Sequence, residues 1–386
     1  MYRSTIFQQL LNLLPRSGFE RRVAERQLQR YVKHFTPWNQ LQVNLYAQAS
    51  GKKSLRDVET GLRVQYRAWY HLGLTQVARS TLAYANTHRD AALYEETFYL
   101  LLAQCKSVTP KHKFRFKNPL YALDATVIDL CLEAFPWAKF RTTKGALKIH
   151  TLLDYCGSLP SFLVITDAKH HEVTVAREQA LPLFRDSIVV MDKAYLDFQW
   201  LYRLHQQPVW FVTRAKTNLD CQVLGQHSQP QKKGVIADEK IQLCGPLTAT
   251  KFPAPLRRIT FEDASTKKVL VFLTNNFHLA ATTIAAIYKA RWEIELFFKW
   301  IKQNLKITTF LGTSRNAVLT QIWTAMIYYL LLAYIKYQTK YGYSLLHFTR
   351  IIREALFTDA DIIDLLNLSL PKLVKLREPC PQLTLW

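Results

Sequence analysis

Asp124 in LYALDAT and Asp192 in IVVMDKAY each follow a short apolar run that reads as a buried strand. A carboxylate at such a strand end emerges at the lip of a sheet, where open sheets bind ligands. Two neighbouring carboxylates repel one another, and a hard divalent cation between them relieves the repulsion. A plainer reading is that each aspartate caps the turn after it, as Asp167 would after its own apolar run.

The segment from Tyr288 to Leu305 carries a stronger pattern. At about 100° per residue from Tyr288, Arg291, Glu295 and Lys302 fall at about 300°, 340° and 320°. Ile287, Ile294, Phe298, Ile301 and Leu305 fill the adjacent arc as a packing face. Such a stripe points one carboxylate inward while Arg291 and Lys302 reach phosphates. The alternative is a simple Arg291–Glu295 pair at i,i+4, worth about 0.3–0.5 kcal/mol.

A third cluster is the run PKHKFRFKN, where Lys111, Lys113, Arg115 and Lys117 alternate with rings. That alternation suits a phosphate-contacting arm, and equally an edge strand whose lysines discourage pairing. The whole chain is basic: 51 Lys plus Arg against 29 Asp plus Glu give a net charge of +22. Nucleic acid is the commonest polyanion to balance it, with an anionic membrane surface as second candidate.

The remaining composition is that of a folded protein. Of 386 residues, 49% are hydrophobic and 21% charged, which excludes a mainly disordered chain and allows two or three domains. The amino terminus reads as an amphipathic helix, its apolar stretch interrupted by Gln8, Gln9 and Asn12. The apolar run Ile322–Ile335 is short for a membrane span and reads as a buried helix. Six cysteines, Cys380 the last, match neither zinc-ligand spacing nor a disulfide framework, which suits a reducing compartment.

Positioning elements follow from periodicity. Helices are expected at Glu20–His34, Trp38–Gln48, Ser54–Gln65 with Ser54 as cap, Thr75–Tyr84, and from Thr87 to Cys105. Strands follow at Leu120–Leu123, Leu147–Leu153, Ser161–Thr166, Ser187–Met191 and Val209–Thr213, with helices at Val173–Leu183 and Leu196–Leu204. After Arg214 the pattern weakens into short strand-like pieces, until Lys268–Thr274 gives a clean strand. One long helix over Thr282–Leu305 comes next, then helices at Val318–Thr339, Leu345–Leu356 and Ala360–Leu366.

The segment from Tyr288 through Arg291, Glu295 and Lys302 resembles the signature of the IS4 family of bacterial insertion-sequence transposases. That signature is Tyr, two residues, Arg, three residues, Glu, six residues, Lys, and every spacing matches. Trp292, Ile294 and Phe298 also look family-like. The contexts of Asp124 and Asp192 resemble the family's two aspartate motifs, and Ser54-Leu-Arg-Asp57-Val-Glu resembles its helical start. One position departs: Ala194 stands two residues after Asp192, where many members carry glycine.

The resemblance implies an α/β fold: an RNase H-like mixed-sheet catalytic core with a β-rich insertion, flanked by amino- and carboxy-terminal helical regions. The implied divisions are a DNA-binding region at 1–108, a basic linker at 109–118, the core at 119–213 and 268–310, the insertion at 214–267 and a helical region at 311–386. Asp124, Asp192 and Glu295 become a DDE triad that holds two Mg²⁺ ions, with Mn²⁺ able to substitute. Tyr288, Arg291 and Lys302 become DNA phosphate contacts, as do Lys111, Lys113, Arg115 and Lys117. Trp210, Trp292 and Trp300 are candidates to hold an unstacked base.

The implied activity is excision of an insertion sequence by 3′-end nicking, through a hairpin intermediate, followed by strand transfer. The implied partners are double-stranded DNA with terminal inverted repeats, target DNA and a second copy of the chain in the DNA complex. No membrane is expected, and the location is the bacterial cytoplasm at the nucleoid. Two alternatives share some of these features: an RNase H-like nuclease without strand transfer, and a basic DNA-binding protein whose catalytic site has decayed.

Overall fold

Capping chemistry delimits the first helices. The computed structural model describes residues 4–30, 32–141, 144–228, 234–304 and 310–367. Before the first strand come α1 (Ile6–Asn12), α2 (Arg16–Glu25), α3 (Pro37–Ser50), α4 (Leu55–Val64), α5 (Trp69–Leu72), α6 (Arg79–His88) and α7 (Ala92–Lys106). Thr36 and Asn39 cap each other's backbone at the start of α3, with Pro37 in its first turn. The Ser54 side chain accepts the Asp57 N–H to open α4.

Helix α3 is buried nearly all round although it carries Gln40, Gln42 and Asn44. Each of these amides is satisfied: Gln40 and Asn44 donate to the Asn86 side chain, and Gln42 to the Leu72 carbonyl. Two expected helices differ. The one expected over Glu20–His34 stops at Glu25 and turns, with Gln27 left-handed at φ 52°. The one expected over Thr75–Tyr84 lies at Arg79–His88, because the chain is still extended at Ala78.

The sheet is built from β1 (Leu120–Leu130), β2 (Lys139–Arg141), β3 (Lys144–Asp154), β4 (Leu159–Asp167), β5 (Ile188–Met191), β6 (Trp210–Arg214), β7 (Cys221–Gln226), β8 (Val235–Leu243), β9 (Leu256–Glu262) and β10 (Val269–Thr274). Its spatial order is β2-β3-β1-β5-β6-β10-β9-β8-β7, with β4 also on β3. The pairs β1·β3 and β3·β4 are antiparallel, and β1·β5 and β5·β6 are parallel. The run β4-β3-β1-β5-β6 is thus the RNase H-like order. Strands β7–β9 extend that same sheet through β10, which pairs antiparallel with both β6 and β9.

Helices α8 (Glu172–Glu178), α9 (Phe198–Gln206), α10 (Pro246–Lys251), α11 (Ala281–Ala290) and α12 (Trp292–Asn304) accompany the sheet. Leu123, Met191 and Phe211 from three adjacent strands share one buried cluster with Trp200, Leu201 and Leu204 of α9. Such apolar strands, covered on their faces, hold the loops at their ends in fixed positions. The single helix expected over Thr282–Leu305 is two helices. The Arg291 and Ile294 N–H groups donate three residues back, to Tyr288 and Arg291, which tightens the chain at the junction.

The chain then forms α13 (Arg315–Gln338), α14 (Leu345–Ala355) and α15 (Ile362–Asn367). Helix α13 is long and apolar enough to cross a membrane by length and composition. However, 83% of its most apolar stretch is buried within the structure, as in the core helix of a bundle. Contacts group the chain into two units: Met1–Val108 with Thr309–Gly312 and Asn316–Trp386, and Thr109–Thr308 with Thr313–Arg315. Leu305, Cys380 and the part of the expected carboxy-terminal region beyond 367 lie outside the described residues.

Candidate active site

Strand register brings the two aspartates together. The parallel pairing of β1 with β5 ends at Leu123↔Met191, so the next residue on each strand is an aspartate, Asp124 beside Asp192. The expectation that Asp124 ends its strand is corrected: β1 continues to Leu130, with Asp124 paired to Thr151 of β3. Only the partner on the other edge stops there, and this frees the carboxylate edge. Each aspartate is fixed by the next N–H along the chain, Ala125 to Asp124 at 2.8 Å and Lys193 to Asp192 at 2.6 Å.

After Asp192 the chain makes one 3₁₀ turn, Lys193–Tyr195. The backbone at Ala194 is not left-handed, so alanine stands where glycine was anticipated without strain.

Glu295 arrives from α12 and is tied to Asp124 through one side chain. Arg291 donates from Nη1 to Asp124 Oδ2 at 2.9 Å and from Nη2 to Glu295 Oε1 at 2.7 Å. The local Arg291–Glu295 pair is therefore real, but it is half of a fork that reaches across to the sheet. The Tyr288 ring lies 5.8 Å from the same guanidinium and packs on Phe272 at 4.9 Å. Burial pushes the Asp124 carboxyl up to about 6; the Ala125 N–H and Arg291 counter part of this, and the charges of Asp192 and Glu295 add to it. Asp124 thus feels both other acids.

Among the described residues no group of three His, Cys, Asp or Glu side chains is placed to hold a metal ion. A guanidinium instead bridges Asp124 and Glu295 as a stand-in cation. The donor chemistry still suits a hard divalent ion, since all three groups are carboxylates and two of them already bind one shared positive charge.

The other expected residues divide. Lys302 is exposed on α12. Lys111, Lys113, Arg115 and Lys117 are exposed, while His112, Phe114 and Phe116 between them are half-buried. Phe114 and Phe116 stack at 5.3 Å, and His112 lies 5.0 Å from Phe116. The segment bends rather than pairing as a strand, so the edge-strand reading is not what forms.

Trp292 is 60% exposed and lines a cavity of about 490 Å³ with Phe261, Phe272, Tyr288 and Arg291. Trp210 is not brought to the carboxylates. It opens β6 opposite Ile188 and packs on His278, whereas Asp192 follows the other end of β5. Trp300 lies about 140° round the helix from Glu295 and faces elsewhere. Two residues escaped the sequence reading. Arg214 closes β6, and its charge acts on Tyr288. Tyr195 is 1% exposed, and its hydroxyl has no hydrogen-bond partner among the described residues. Neither belongs to a periodic pattern, so only the folded register could reveal them.

On an RNase H-like sheet, Asp124 within β1 lies beside Asp192 after β5, and Arg291 ties Glu295 of α12 to Asp124. Residues 115–331 match the family described as Transposase DDE domain, and the chain belongs to that family. Residues 2–75 match a Domain of unknown function (DUF4372). The chain is 35% identical over 285 residues to "Putative transposase y4zB" of Sinorhizobium fredii, covering 73% of this chain and 78% of that protein. It is 29% identical to "Probable transposase for insertion sequence element IS5377" of Geobacillus stearothermophilus, over 69% of this chain and 70% of that one. It is 24% identical to "Putative transposase for insertion sequence element IS4SA" of Synechocystis, over 71% and 76%. A piggyBac transposase synaptic complex with hairpin DNA aligns with a TM-score of 0.44 and 10% identity, over 99% of this chain and 83% of that one.

Proposed function

We propose that this transposase excises and inserts an insertion sequence by hydrolysis and transesterification of DNA phosphodiesters. Asp124, Asp192 and Glu295 would be its metal-holding triad. The observation that carries this reading is the shared bridge: one guanidinium links Asp124 to Glu295, with Asp192 next to Asp124 in register. Two Mg²⁺ ions, replaceable by Mn²⁺, would supply activation of the attacking hydroxyl and stabilisation of the departing 3′-oxygen.

The chain's own residues do the rest. Asp192 and Asp124 are pre-set by neighbouring N–H groups, so their oxygens need little reorganisation. Arg291 and Lys302 grip phosphate oxygens near the cut, and the Tyr288 hydroxyl donates to the same region. The exposed Lys111, Lys113, Arg115 and Lys117 follow the DNA backbone beyond it. Trp292, exposed and lining a cavity with Phe261, Phe272 and Tyr288, would stack a base that leaves the helix. Helices α1–α7 bind the terminal inverted repeats, and two copies pair the two ends of the element in the bacterial cytoplasm. The divisions at 108, 118, 213, 267 and 310 are proposed as the functional boundaries.

Incubating the protein with Mg²⁺ and a duplex copied from the end of its element tests the reaction class. A denaturing gel is expected to show a nick at the 3′ end, a hairpin and joined products. Nicking without hairpin or joined product would leave a nuclease, and binding without any cleavage would leave a decayed DNA-binding protein.

A further inference from the structure

Arg291 is assigned two partners that compete for it. Its fork spends Nη1 on Asp124 at 2.9 Å and Nη2 on Glu295 at 2.7 Å. Both acids belong to the set proposed for the metal ions, and the same arginine is the one proposed for the DNA backbone. One N–H of each Nη is spent on a carboxylate and the Nε–H is buried without a partner, so meeting a phosphate with two parallel N–H groups requires the head group to turn out of this bridge. Each carboxylate also spends part of its acceptor capacity, and of its negative charge, on the guanidinium rather than on a cation.

The bridge is well supported. The Arg291 side chain is only 15% exposed and lies over the Tyr288 ring, and Asp124 Oδ1 is held separately by the Ala125 N–H. The fork compensates two acids that would otherwise face one another at close quarters. It sits at the α11–α12 junction, where three-residue hydrogen bonds replace the helical pattern on both sides.

Resting on the metal-dependent reading above, we propose that Arg291 is a gate on the metal site. In the DNA-free protein it fills the cation position between Asp124 and Glu295. A DNA phosphate then competes for the fork, draws it off the carboxylates and opens them to metal. Metal and DNA therefore bind with positive coupling, each tightening the other by the same factor. The device keeps a DNA-cutting centre unloaded until its substrate is seated.

The test titrates the full-length, DNA-free protein with Mn²⁺ and follows free Mn²⁺ by electron paramagnetic resonance. Arg291→Gln should bind Mn²⁺ at least about tenfold more tightly than wild type, the worth of one charge-assisted hydrogen bond. Adding Asp124→Asn to that variant should remove the gain. Arg291→Lys keeps a positive charge but cannot fork across both acids, and should fall between wild type and Arg291→Gln; it also guards against a folding defect in the glutamine variant. A duplex from the element's end should tighten Mn²⁺ binding by wild type and do so far less for Arg291→Gln.

If neither arginine variant binds more tightly than wild type, while Asp124→Asn abolishes Mn²⁺ binding in the DNA complex, the gate is overturned and the triad stands. A gain that survives Asp124→Asn puts the ion elsewhere and overturns both.

Discussion

Lys302 is exposed on α12, seven residues beyond Glu295, and no carboxylate pairs with it among the described residues. A lysine so placed adds little to stability, and the role proposed for it is a phosphate contact. Lys302→Ala should weaken DNA binding and lower the slope of log affinity against log salt by about one. Filter binding across a salt series measures this, and an unchanged slope contradicts the contact.

His150 gives a second prediction at this scale. Burial first, and then the nearby Lys148 charge, press its pKa down to about 4. Unfolded, it takes up a proton near its ordinary value of about 6.5, so the unfolded chain binds more protons between these limits. Its contribution is complete above about pH 6.5 and is lost as pH falls toward 4. The loss is about 3 kcal/mol. His150→Gln should therefore flatten the fall in unfolding free energy over that window, and an unchanged profile would rule the residue out.

At the scale of elements, β8 and β9 are fastened to the loop before α11 by a buried pair. Arg257 on β9 binds Asp238 of β8 through Nε and Nη2, both at 2.8 Å, and donates from Nη1 to the Asn276 and Leu279 carbonyls. Both side chains are almost fully buried, so losing one leaves an uncompensated charge. Asp238→Ala should cost about 3–5 kcal/mol in urea unfolding. A cost below about 1 kcal/mol would mean that the pair is not the fastening.

The elements also mark what was legible in the sequence. The apolar runs ending near Asp124, Asp192 and Thr213 announced β1, β5 and β6, because strands buried on both faces need apolar residues throughout. Strand β9 escaped notice because Arg257 and Arg258 interrupt its apolar pattern, and only the folded partners Asp238 and Glu239 explain them. The break at Arg291 was invisible because the apolar spacing runs unchanged through it. The four-residue stripe placed Glu295 and Arg291 correctly beside one another. It did not disclose that the arginine reaches Asp124, because that contact depends on how the helix docks on the sheet.

For the whole molecule, charge and connectivity set the expectations. A net charge of +22 makes binding to DNA steeply salt-dependent. The helices before β1 and after α12 group into one unit, and the sheet with α8–α12 forms the other. If two copies pair the two element ends, sedimentation of the protein with end duplexes should give a complex of two chains and two duplexes. A stable complex of one chain with one duplex, competent for joining, would contradict pairing.

The most direct test of the triad is single-turnover cleavage of an end duplex in Mg²⁺ by wild type, Asp124→Asn, Asp192→Asn and Glu295→Gln. Each variant should retain DNA binding and lose cleavage by at least about a thousandfold, as expected when a metal-holding carboxylate is neutralised. Cleavage near the wild-type rate by any one of them would show that its carboxylate does not serve the reaction.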